Sequence, residues 1–85
     1  MSNRAITWAW GVHGLSPLQR VVLLRLADWA DHCGVVNTSA ESVARQSGLE
    51  PGEVQLAVKS LRIEQILRGD FGHPNGTLFL QVDDR

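Results

Sequence analysis

The stretch Ser39-Ala40-Glu41-Ser42-Val43-Ala44-Arg45-Gln46-Ser47-Gly48-Leu49-Glu50-Pro51-Gly52-Glu53-Val54 decides how this chain of 85 residues folds. Ala44 is small enough to sit where two helices cross closely. Gly48, four positions on, tolerates the positive φ of a tight turn. Val54, six positions further, is a branched apolar residue suited to burial between the helices. Val43 and Leu49 supply the flanking core positions. Thr38 and Ser39 compete for the N-cap, since Thr38 with Glu41 has capping-box spacing. Ser47-Gly48 stops this helix, and Glu50-Pro51 opens the next with proline where no hydrogen bond is lost. The helices expected here run over 39–47 and 51–64. The second turns Val54, Ala57, Val58 and Leu61 inward.

Ala44, Gly48 and Val54 meet the spacings of a helix-turn-helix, and any helical hairpin with a glycine turn would meet them too. Upstream, Ser16-Pro17 marks another helix start, expected over 17–32. Leu18, Val22, Leu26 and Trp29 share one face of it. Leu24 and Ala27 lie opposite, beside Arg20 and Asp28. A helix apolar nearly all round needs cover on its second side, from the N-terminal segment or from a partner subunit. In that segment Ile6, Trp8 and Trp10 alternate, which predicts an extended arm packing its indoles on the body. With no Tyr and two Phe in the chain, the three tryptophans are the expected bulk of the core.

Gly34 can close the first long helix, and Val35-Val36 has room for one rung of an edge strand. Downstream the apolar period changes from helical to alternating. Ile66-Leu67 leads into Arg68-Gly69-Asp70-Phe71, and Asn75-Gly76 is a turn signal before Thr77-Leu78-Phe79-Leu80-Gln81-Val82. A hairpin across 66–82 follows. The expected organisation is an arm over 1–15, one α+β domain over 16–82 and a polar tail over 83–85.

Composition bounds the function. The hydrophobic fraction of 44% and charged fraction of 20% belong to an ordinary globular domain. No apolar run is long enough to span a bilayer, and no secretory signal is visible, so no membrane association is expected. Cys33 is the lone cysteine, which excludes an internal disulfide and fits a reducing, cytoplasmic setting. Eight basic against nine acidic residues give a net charge of −1. Nucleic-acid binders usually carry a basic surplus, so any such role depends on local charge.

Catalytic and metal chemistry find little support. His32 and Cys33 near Asp28 and Asp31 lack the paired ligand spacings of a structural zinc site. Adjacent His32 and Cys33 side chains diverge on a helix, so no nucleophile and base are paired. The glycines are scattered at helix ends and turns, which leaves no phosphate loop. Neither enzyme activity nor a cofactor is expected.

The order of these motifs resembles the winged helix-turn-helix domains of phage and plasmid replication initiators and related small regulators. The resemblance covers about residues 16–67. It rests on Leu26-Ala27-Asp28 with Ala30-Asp31 and Gly34, then Ser39 with Val43-Ala44, Gly48-Leu49, Val54 to Leu61, and Ile66-Leu67. It implies three helices followed by a C-terminal β-hairpin wing, and transcription regulation or replication initiation on double-stranded DNA. Two departures stand out. The third helix opens on Glu50-Pro51-Gly52-Glu53 where the family has hydroxyl and basic residues, and Gln65 stands where it has glycine.

On the DNA reading Gln55 and Lys59 face base edges, and Ser39, Arg45 and Arg62 contact phosphates. His73 and Asn75 touch the minor groove from the wing tip. The alternative is a protein-binding winged helix that has lost DNA binding. It would use Leu56 and Ile63 with the acidic edge of Glu50 and Glu53, either on another protein or in a homodimer.

Overall fold

Proline opens two of the four helices in the computed structural model, which describes residues 3–71 and 76–82. The elements are α1 (Asn3–Gly11), α2 (Pro17–Trp29), β1 (Val35–Thr38), α3 (Ala40–Ser47), α4 (Pro51–Ile63), β2 (Leu67–Asp70) and β3 (Gly76–Leu80). The strands form one antiparallel sheet in the order β1-β3-β2. This is an α+β architecture of helices packed on a small sheet.

The helix boundaries follow local chemistry. Ser16 and Gln19 close a reciprocal capping box: the Gln19 amide N–H donates to Ser16 Oγ at 3.1 Å, and the Ser16 amide donates to Gln19 Oε1 at 2.8 Å. Of the two candidate caps before α3, Ser39 takes the role and accepts from the Ser42 amide at 3.1 Å. Thr38 instead ends β1, buried. Gly48 adopts φ +70 after α3, and the Leu49 amide reaches back to the Ala44 carbonyl. The chain thus turns into α4 where the spacing of Ala44, Gly48 and Val54 required.

The core is aliphatic. Val22, Leu23 and Leu26 from α2 meet Val43 and Ala44 from α3, Val54, Ala57, Val58 and Leu61 from α4, and Leu67 and Leu78 from the sheet. Each fully buried leucine contributes roughly 1.5–3 kcal/mol. The tryptophans do not form this core. Trp8 and Trp29 are half-buried against it, and Trp10 is 65% exposed. Ala27, expected opposite the packed face of α2, is fully buried.

Three other expectations need correction. Residues 3–11 are helical, not an extended arm. The alternation of Ile6, Trp8 and Trp10 coexists with Ala5 and Ala9 at helical spacing. Those alanines are buried, which lets α1 approach α2 closely. The first long helix stops at Trp29 rather than 32, because Ala30 is extended and Asp31 forms a turn. The Asp31 carboxylate accepts from the Val35 and Cys33 amides, and those bonds hold its pKa below the ordinary value. Finally, β1 has four residues rather than one rung, and pairs along its length with β3.

A candidate nucleic-acid interface between α4 and β2

The buried stripe of α4 fixes what its other side presents. Val54, Ala57, Val58 and Leu61 face the core, so Gln55, Leu56, Lys59, Arg62 and Ile63 are exposed. The chain leaves α4 through a closing motif at Gln65. The Ile66 amide donates to Leu61 O at 2.9 Å and the Gln65 amide to Arg62 O at 3.0 Å, with Gln65 itself at φ +62. This turn lays β2 beside the outer face of α4. Leu67 points inward, and Arg68 and Asp70 are exposed.

An open groove of about 720 Å³ results, with Gln55, Lys59, Arg62 and Ile63 on its helical side and residues 67–71 on its strand side. Three cations and one carboxylate line it, Lys59, Arg62 and Arg68 against Asp70, for a net +2 in a chain of net −1. An ion pair of 3.0 Å joins Arg62 to Asp70 across the groove. Among the described residues the side chains of Lys59 and Arg68 have no hydrogen bond or ion pair.

The expected contact residues divide. Gln55, Lys59, Arg62 and Ile63 come together in this groove. Arg45 lies apart, exposed, in a shallow depression with Trp29, Asn37 and Gln46. Ser39 is buried, its hydroxyl donating to Ser42 Oγ and accepting the Ser42 amide, so its side chain is engaged in capping α3. His73 and Asn75 lie outside the described residues. Glu50, Glu53 and Leu56 are exposed beyond the groove lining. Glu53 accepts the Glu50 amide at 3.0 Å, so it caps α4, where a carboxylate also suits the helix dipole. The departure from a basic helix start therefore has a stabilising local role.

Arg68 and Asp70 had no assigned role in the sequence. Alternation against inward Leu67 was the available signal, since it turns both side chains outward on one face. Comparison with protein-family models, curated proteins and solved structures gave no match.

Proposed function

We propose that the chain is a DNA-binding module of the winged helix-turn-helix class, acting as a regulator or replication-initiator-like protein of phage or plasmid type. The observation that carries this is the gathering of Gln55, Lys59, Arg62 and Arg68 along one groove beside the outer face of α4. The element order supports it: two helices meeting at a glycine turn, then a hairpin whose second strand is central in the sheet. In this reading α4 enters the major groove with Gln55 nearest base edges, and Lys59 and β2 border the phosphate backbone. Arg45, at the end of α3, reaches the backbone on the other side.

Titration of a random-sequence duplex across a salt series tests it. Affinity should fall linearly on a double-logarithmic plot, and Lys59→Ala should flatten the slope by about 0.9. Salt-independent or absent binding of the wild-type chain would reject the proposal.

A second reading has its own observation. Leu56 and Ile63 are 65% and 73% exposed on α4, an unusual pair for a face that reads DNA. They favour a protein-binding winged helix, with Glu50 and Glu53 as its acidic edge.

A further inference from the structure

Arg62, near the C-terminal end of α4, meets Asp70, the last residue of β2. Asp70 is held from two sides: Oδ2 accepts the Arg62 guanidinium at 3.0 Å and Oδ1 accepts the Phe71 amide at 2.8 Å. The backbone before it is equally constrained. Gly69 has φ +88, and a Cβ there would collide with the Thr77 carbonyl oxygen on β3. Asp70 is in register with Thr77, whose hydroxyl donates to Asn37 on β1. The carboxylate that holds Arg62 is thus anchored to the whole sheet.

We infer that Arg62 is a positioning residue, latched by Asp70 to fix β2 against α4, and that Lys59 and Arg68 make the phosphate contacts of this groove. The inference rests on the DNA reading proposed above and assigns roles within it. For Arg62 to engage a phosphate it would have to leave Asp70. That would strand a carboxylate beside the DNA backbone, where its repulsion offsets the attraction between Arg62 and the phosphate. Lys59 and Arg68 face no such exchange, because neither has a partner among the described residues. Arg68 also lies two residues before Asp70, so both project from the same side of β2.

A charge swap separates the roles. Arg62→Asp should weaken duplex binding about tenfold at low salt, since it removes one cation and adds one anion. Adding Asp70→Arg should restore affinity and salt slope to near the wild-type values, because the latch re-forms with its charges exchanged. Arg68→Ala alone should flatten the slope by about 0.9, like Lys59→Ala. A swap variant that stays as weak as Arg62→Asp while its β2 amides remain protected would show that Arg62 itself contacts DNA. An unchanged slope in Arg68→Ala would equally overturn the assignment. If the wild-type chain binds no duplex, the DNA reading and the phosphate roles fall together. Hydrogen exchange at 67–70 then judges the latch separately. Faster exchange in Arg62→Asp, reversed by the swap, supports it; no change in either variant overturns it.

Discussion

Gln65 holds φ +62, the one non-glycine residue with positive φ among those described. A left-handed conformation costs an L-residue roughly 1–2 kcal/mol. The position tolerates it because two backbone hydrogen bonds close the end of α4 there, and the side chain is exposed. Gln65→Gly should therefore stabilise the domain by up to about 1 kcal/mol, after the greater unfolded-state freedom of glycine is subtracted. Gly69 presents the opposite case, since its φ of +88 coincides with a close approach to Thr77. Gly69→Ala should cost several kcal/mol or prevent folding. Thermal unfolding of the two variants checks both signs, with about 4–8 °C expected per kcal/mol in a domain of this size. The resemblance placed a glycine at position 65. The sequence has none, but the backbone keeps the conformation that glycine serves.

The element whose character differs most from expectation is α1. Its large residues alternate, whereas its buried residues are the small ones, Ala5 and Ala9. Apolar bulk was therefore a poor guide to which positions face inward. A second determinant comes from α2. The Arg20 guanidinium donates to Ala9 O at 2.7 Å, Trp10 O at 3.3 Å and Val12 O at 2.6 Å, and so caps the carbonyl end of α1. Arg20→Leu keeps much of the apolar stem and leaves those carbonyls without their donor. It should lower stability by about 1–3 kcal/mol and speed amide exchange in α1 well before α4 is affected. Uniform exchange across both helices would mean that the cap does not govern α1. A similar lesson applies to α3. Ala40, in the first turn of α3, is buried alongside Ala44.

At the scale of the whole molecule, the cations of the groove are set apart from the acidic start of α4. Lys59, Arg62 and Arg68 collect on the groove, while Glu50 and Glu53 mark the start of α4. A chain of net charge −1 can in this way present a local cationic strip. Leu56 and Ile63 lie on that same helix and discriminate between the two functions. Leu56→Ser with Ile63→Ser should leave the melting temperature nearly unchanged, since neither side chain is in the core. If DNA is the partner, the double variant keeps most of its affinity. If these residues form a protein contact or a homodimer, the complex is lost, as a fall in mass by sedimentation or scattering. No helix of the described residues is long and apolar enough to cross a membrane.

The sequence by itself determined the local features: the cap at Ser16, a cap at Thr38 or Ser39, the turn at Gly48, the inward stripe of α4 and the paired strands after Leu67. Each depends on neighbours within about one or two helical turns, where periodicity, capping and glycine tolerance act directly. Tertiary structure decided the rest. In α1, Arg20, eleven residues from Ala9, caps the carbonyl end, and two buried alanines let the helix pack closely against α2. That Arg62 is paired, while the Lys59 and Arg68 side chains have no partner among the described residues, depends on β2 lying against α4. Ion pairs between elements have no sequence period, because they form only where packing brings the two backbones together.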